Sequence, residues 1–375
     1  MQIPFNRPSL DKRDYNAAAK VLKSGEIGGN GPVCRQVEDI LKAVFQVKHS
    51  LLMTSCTHSL EAAVRVLRLS PGDQVILPSF AFPSAANAVL LAGAEVVFAD
   101  ITTDSLNIDP EDIARKITPR TRAILPVHYA GVSCNMDRIL ELAAEFRLYV
   151  LEDAAQCIGS KFRGKPLGSI GDIGCVSFHE TKNIICGEGG TFLTDSDEFL
   201  EQADIIREKG TNRSRFLRGE IDKYYWVDIG SSYVLSELQA AILLTQLDKI
   251  ESVTRKRAVI YNKYRQGLEP LESSGKISLG KIAEGCDPNY HIFYFLVERG
   301  ERDSCLQRLK KAGIGATTHF YPLHLSEMGK RLGYRFGELP VTEEAFKKLI
   351  RLPIYTDLKK NEINYIIDTL IGIMS

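Results

Sequence analysis

Lys182 lies in the stretch Cys175-Val176-Ser177-Phe178-His179-Glu180-Thr181-Lys182-Asn183, which runs on into Gly187-Glu188-Gly189-Gly190. These residue types predict a short buried strand over 173–178, a polar loop carrying one lysine, a glycine turn, and a second strand over 191–194. A lysine on a tight loop between two buried strands is held by its scaffold, as a lysine that forms an imine must be. In water a lysine of pKa about 10.4 is neutral in roughly one molecule in 2,500 at pH 7, a handicap of about 4.6 kcal/mol. Desolvation or a covalent imine removes it. A surface lysine in a glycine-rich hairpin fits this stretch equally well, so the other polar clusters decide.

Four such clusters fall at the carboxyl ends of strand-like runs. Thr54-Ser55-Cys56-Thr57-His58-Ser59 opens a helix, where free backbone amides and hydroxyls make an anion seat, although Ser and Thr are also ordinary helix caps. Pro78-Ser79-Phe80-Ala81-Phe82 puts aromatics beside that seat, where a side chain can lie flat on a ring or simply fill the core. Leu151-Glu152-Asp153-Ala154-Ala155-Gln156 places acid at the end of an apolar strand, a costly burial without a cationic partner. Ser177 ends the strand before the lysine loop. Phosphate seat, aromatic face, buried acid and imine-forming lysine are the four parts that pyridoxal 5′-phosphate requires. The acid would keep the ring nitrogen protonated through a charge-assisted bond of about 1.5–3 kcal/mol, and that proton makes the ring an electron sink.

The elements that must position these groups alternate. Strand-like runs at 50–53, 74–77, 94–99, 123–127, 148–151 and 173–178 are separated by helical stretches at 59–67, 84–91, 110–117 and 136–146. The strand cores are continuously apolar, as in Val75-Ile76-Leu77 and Val96-Val97-Phe98, which is the mark of strands covered on both faces. The fold class expected is therefore α/β, a doubly wound, mostly parallel sheet that binds ligands at strand carboxyl ends. Before it come a helix over 10–23, a glycine-rich loop over 25–32 and a helix over 33–45. After it come a helix over 198–208, a polar loop over 209–228 and one long helix from 235 towards 264. A smaller α+β domain closes the chain, with strands at 276–279, 290–297 and 316–320 and helices at 302–312, 342–350 and 360–371. The domains expected are 1–250 and 251–375.

Composition excludes several classes. The 375 residues carry 47 Lys plus Arg against 47 Asp plus Glu, so no global field draws the chain to nucleic acid or an anionic membrane. The N-terminal residues lack an apolar signal-peptide core, and the least polar long stretch, 81–99, contains Pro83, Ser84 and Asn87, which suits a buried helix and strand better than a membrane span. Eight scattered cysteines form no CxxC pair or zinc spacing; no metal is expected, and reduced thiols in a cytoplasmic protein are.

The motifs TSCTHSLEAA, LPSFAFPSAANAV, PVHYAG, VLEDAAQ, GDIGCVSFHETKN with GEGG, SELQAA and HFYPLH resemble those of the DegT/DnrJ/EryC1/StrS sugar-nucleotide aminotransferases over essentially the whole chain. The resemblance implies the aspartate-aminotransferase (type I) fold and pyridoxal 5′-phosphate, cycling through pyridoxamine 5′-phosphate, as cofactor. It assigns Lys182 as the Schiff-base lysine, Asp153 as partner of the pyridine nitrogen, Phe82 as the ring-stacking aromatic and Gln156 as neighbour of the pyridine hydroxyl. Cys56, Thr57 and Ser177 would hold the phosphate. Cys56 stands where the family usually has glycine, which leaves its backbone N–H in place. Ser232 stands where the family has an asparagine that reaches the phosphate of a neighbouring subunit, so a homodimer with active sites at its interface is implied. HETKN and the segment EKGTNRSRFLRGEIDKYYWVDIGSSY resemble most the members that transfer an amino group from glutamate to C4 of dTDP-4-keto-6-deoxy-D-glucose. That reaction gives dTDP-4-amino-4,6-dideoxy-D-galactose for cell-surface polysaccharide. A 3-ketosugar or another 4-ketosugar nucleotide remains the alternative.

Candidates for the sugar nucleotide are scattered. The loop over 207–228 holds six cations and four anions and ends beside Tyr224, Tyr225 and Trp226, which can stack on a base. Arg213, Lys223, Tyr224 and Trp226 are its candidates, joined by Gly29 and Asn30 in the glycine loop and by His319 and Tyr321 in HFYPLH. His179, three residues before the lysine, joins the substrate candidates, where it either tunes the site or packs beside the lysine, with packing favoured. His324 reads equally as pocket or surface.

Overall fold

The structure is a computed structural model describing residues 1–298 and 300–374. Seven strands build the large sheet: β1 (His49–Met53), β2 (Gln74–Pro78), β3 (Glu95–Ala99), β4 (Thr121–Ile124), β5 (Tyr149–Asp153), β6 (Ile173–Ser177) and β7 (Gly190–Thr194). Their spatial order is β1-β7-β6-β5-β4-β2-β3. Only β7 runs against its neighbours, so the carboxyl ends of the other six share one edge.

Period-two alternation sends the strand side chains into two separate cores. Leu52, Ile76, Ile124, Val150 and Val176 face a layer that includes α2 (Pro32–Phe45), α5 (Met136–Phe146) and α7 (Glu237–Leu247). Their strand neighbours Met53, Val75, Leu77, Leu151 and Cys175 face α3 (Cys56–Val66), α4 (Pro83–Leu91) and α6 (Asp197–Arg207). Helices on both faces explain why these strands are apolar without interruption. The helix α1 (Lys12–Ser24) lies outside on α7.

The C-terminal part holds a three-stranded antiparallel sheet of β8 (Ile277–Leu279), β9 (Phe293–Val297) and β10 (Leu349–Leu352), with β9 in the middle. Its core joins Tyr264 and Leu268 of α8 (Ile250–Ser273) to Phe295, Ile350, Leu352 and Ile366, and takes in Ile3 from the N-terminus.

Three expectations need correction. The strand over 316–320 is absent: only Thr317 pairs, exchanging backbone hydrogen bonds of 3.2 and 2.7 Å with Arg351, after which the chain turns towards the ligand edge. The helix over 342–350 stops at Lys348, because Leu349, Ile350 and Leu352 are all needed in the small core as a strand. The single helix expected from 235 towards 264 is two, α7 and α8. The break frees Lys249 to reach Asp14 at 2.7 Å and Asp11 at 2.9 Å on the N-terminal segment.

Candidate active site

Lys182 is fixed by the hairpin that carries it. Ser177 pairs with Gly190 at the last rung between β6 and β7. Beyond it, Phe178 N–H donates to Gly189 O (2.8 Å), Glu180 N–H to Gly187 O (2.9 Å) and Lys182 N–H to His179 O (2.9 Å). Gly187 takes φ of +91°, a conformation L side chains rarely adopt. The lysine amine makes no hydrogen bond or ion pair with any described residue and opens into a cavity of about 480 Å³. Burial holds its pKa below the ordinary lysine value, against the pull of Cys56 and Asp153.

Asp153 ends β5 and lines the same cavity. Burial pushes its carboxyl pKa up, opposed by the Ala155 N–H that donates to Oδ1 at 3.1 Å and by the charge of Lys182. Glu152, one residue earlier, points through the sheet. It is fully buried and accepts from the N–H groups of Gly168 (2.8 Å), Ile170 (2.6 Å) and Gly171 (2.7 Å), with His128 Nε2 at 2.8 Å. Of the two acids, Glu152 is satisfied by protein and Asp153 is left to a ligand.

The α3 N-terminus meets the same space. Ser55 caps it by accepting from His58 N–H at 3.2 Å, and Cys56 and Thr57 open the helix into the cavity. Gly190 packs so tightly beneath that a Cβ there would lie 2.4 Å from the Cys56 nitrogen. Thr57 Oγ1 is 2.8 Å from Ser84 Oγ, a cavity residue not singled out in the sequence. Gln156 accepts from Ala130 N–H at 2.7 Å, which turns its amide towards the cavity, and Phe82 covers one side while remaining 61% exposed. Lysine, acid, anion seat and aromatic face therefore converge as a site for pyridoxal phosphate demands.

A model of the DegT/DnrJ/EryC1/StrS aminotransferase family matches residues 8–371. The chain belongs to that family. It is thus a pyridoxal-phosphate-dependent aminotransferase with the type I fold. The spore coat polysaccharide biosynthesis protein SpsC of Bacillus subtilis is 30% identical, with 98% of this chain and 96% of SpsC aligned. Among solved structures, Spr1654 from Streptococcus pneumoniae in its PMP form superposes with a TM-score of 0.93 at 28% identity, covering 100% of this chain and 98% of its own. Helicobacter pylori PseC, an aminotransferase involved in the biosynthesis of pseudoaminic acid, gives 0.92 at 26% identity over 100% and 99%.

Around its centre the aminotransferase adds residues of both sheets. His179 sits at the mouth, its Nδ1 2.9 Å from Thr181 Oγ1 and its Nε2 3.5 Å from Glu188, so it is tied to the rim rather than packed in the core. His319 stacks on Phe320 with centroids 3.7 Å apart and lies 3.3 Å from Tyr129 Oη. Sequence reasoning missed Arg257, His291 and Arg351, which the small sheet and α8 bring to the cavity. Arg351 had a signal, a lone cation in Leu349-Ile350-Arg351-Leu352-Pro353-Ile354.

Other candidates lie outside this cavity. Asn30 Nδ2 donates to Glu208 Oε1 at 2.9 Å, Arg213 reaches the same carboxylate at 3.3 Å, and Ser232 pairs with Glu208 through the backbone. Gly29 pairs with Ser236 where a Cβ would meet Val234 at 2.5 Å. Lys223, Tyr224, Trp226 and Tyr321 are exposed. His324 is neither pocket nor surface: it is fully buried, held by Ser79 Oγ at 2.7 Å and Glu343 at 3.1 Å.

Proposed function

We propose that this enzyme moves the amino group of L-glutamate to C4 of dTDP-4-keto-6-deoxy-D-glucose, giving dTDP-4-amino-4,6-dideoxy-D-galactose and 2-oxoglutarate, for cell-surface polysaccharide. The observation that carries the reading is one cavity lined both by Lys182, whose amine has no partner among the described residues, and by Asp153, whose buried carboxyl accepts only from the Ala155 N–H. The sugar class draws support from SpsC and PseC, whose names place them in polysaccharide and pseudoaminic acid biosynthesis. The dTDP-linked 4-ketosugar rests on the resemblance carried by HETKN and the segment after it.

Bound pyridoxal phosphate supplies the ring that withdraws electrons from the carbon losing its proton. Asp153 would hold the protonated ring nitrogen, the amides at Cys56 and Thr57 with Ser177 would hold the phosphate, Phe82 would cover the ring, and Gln156 would meet its hydroxyl. Lys182 would anchor the cofactor, and its free amine would take a proton from one carbon and return it to another. One amine acting as base and then acid suits a group whose pKa burial has lowered towards neutrality. A second copy of the chain completes the site, bringing Ser232 to the phosphate and the aromatic loop around 216–229 over the nucleotide. The eight free cysteines fit a cytoplasmic setting.

The test is purified protein with glutamate and dTDP-4-keto-6-deoxyglucose, followed by NMR of the sugar, with the 3-ketosugar run in parallel. The expected product carries the amine at C4 in the galacto configuration. Lys182→Ala is expected to remove turnover and the cofactor's visible imine absorbance together. Amination at C3, or turnover surviving in the alanine variant, overturns the reading.

A further inference from the structure

Arg351 interrupts β10, whose other residues serve the small core. Leu349, Ile350 and Leu352 are completely buried, whereas Arg351 sends its side chain into the active-site cavity. Its guanidinium carbon lies 4.7 Å from the centroid of the Phe5 ring, which orients the fork from below. Its Nε is buried with no hydrogen-bond partner, and among the described residues no carboxylate stands within ion-pair distance of it. Desolvation lowers its pKa, and the charged or titratable groups that sense it are Tyr129, Lys182, His291 and His319, none of them an anion at neutral pH. Both histidines are pushed below the ordinary value by burial, so they add no charge.

A cation buried in this way is costly unless something negative joins it. The cofactor's phosphate has its own seat at the α3 N-terminus on the large sheet, and Asp153 is committed to the ring nitrogen. A planar fork that is stacked on one face and open at its edge matches a carboxylate held in two-point fashion. We propose that Arg351 receives a carboxylate of the dicarboxylic amino donor and thereby sets the donor end of the site. This inference rests on the aminotransferase reading of the same cavity.

Cofactor-loaded wild type, Arg351→Gln and Arg351→Lys separate the possibilities. Titration of pyridoxal phosphate into the apo-proteins measures the phosphate seat. Calorimetry with glutarate, a five-carbon dicarboxylate lacking amino and keto groups, measures the donor end without chemistry. The glutamate and ketosugar half-reactions are then followed separately by cofactor absorbance. Arg351→Gln is expected to weaken glutarate and to raise the glutamate concentration for half-maximal rate by about 10- to 100-fold, with partial recovery in Arg351→Lys. Cofactor affinity and the ketosugar half-reaction are expected to stay at wild-type values. Glutamate dependence left unchanged overturns the proposal, as does weakened cofactor binding or an equal loss in both half-reactions. If wild type itself gives no half-reaction with glutamate, the underlying aminotransfer reading fails instead, whatever glutarate does.

Discussion

Glu152 and Asp153 are adjacent, both buried and both acidic, yet their surroundings drive them apart. Glu152 suffers full desolvation, but His128 and the amides of Gly171 and Gly168 outweigh it and hold its carboxyl below the ordinary range. Asp153 has one backbone donor, and burial wins. With Asp153 as the proposed partner of the ring nitrogen, Asp153→Asn is expected to lower kcat by about 10²- to 10³-fold while the fold persists. Steady-state kinetics beside thermal melts check it. Glu152→Gln acts on stability instead: an amide turned towards the N–H groups of Ile170 and Gly171 costs about 3 kcal/mol. A carboxyl with a depressed folded pKa stabilises above its unfolded value, near 4.5, and that contribution disappears as pH falls through the folded value. Wild type is therefore expected to lose stability below about pH 4.5 more steeply than Glu152→Gln, which denaturant midpoints across pH 3–7 would reveal. The strand pattern alone announced an acid at this strand end without separating the two; the family resemblance assigned Asp153. The loop over 168–171, whose N–H groups satisfy Glu152, supplies the physical reason for the difference.

The lysine hairpin and α3 form one device, because the close approach of β7 to the helix N-terminus keeps the anion seat beside the lysine loop. Gly190→Ala forces a Cβ to within 2.4 Å of the Cys56 nitrogen, and neither backbone can yield cheaply. The expected result is a destabilisation of about 1–3 kcal/mol together with weaker pyridoxal phosphate binding, read by absorbance titration at a temperature where the variant remains folded. The large sheet was legible because its strands are apolar on both faces and its loops carry glycine, proline and helix caps at short intervals. Local pattern fails where tertiary contacts outvote it. Residues 316–320 are β-like in type but find a ladder partner only at Thr317, and 349–352 continue a helical pattern yet are drawn into β10 by Phe293 and Phe295 across the ladder. Arg351 was missed for the same reason: its role depends on which face of that strand looks into the cavity.

At the scale of the molecule, two features point outward from the folded chain. Phe82 remains exposed over the cavity, and the segment around 216–229 exposes Phe216, Leu217, Tyr224, Tyr225, Trp226, Val227 and Ile229, with Trp226 75% accessible. So much aromatic surface on one segment marks a face covered by another molecule. A second copy is the occupant proposed above, and it would also bring Ser232, which lies outside the cavity of its own chain, to a phosphate. The protein is therefore expected to sediment at twice its 41.7 kDa chain mass. Trp226→Asp combined with Tyr225→Asp places charge on that face while leaving the buried cores of the chain untouched. The variant is expected to shift towards monomer at micromolar concentration, with cofactor affinity falling in step because the phosphate seat loses its second contributor. Sedimentation velocity paired with absorbance titration separates the outcomes. A monomeric variant that binds the cofactor as tightly as wild type would remove Ser232 from the seat, and a variant that stays dimeric would move the interface elsewhere.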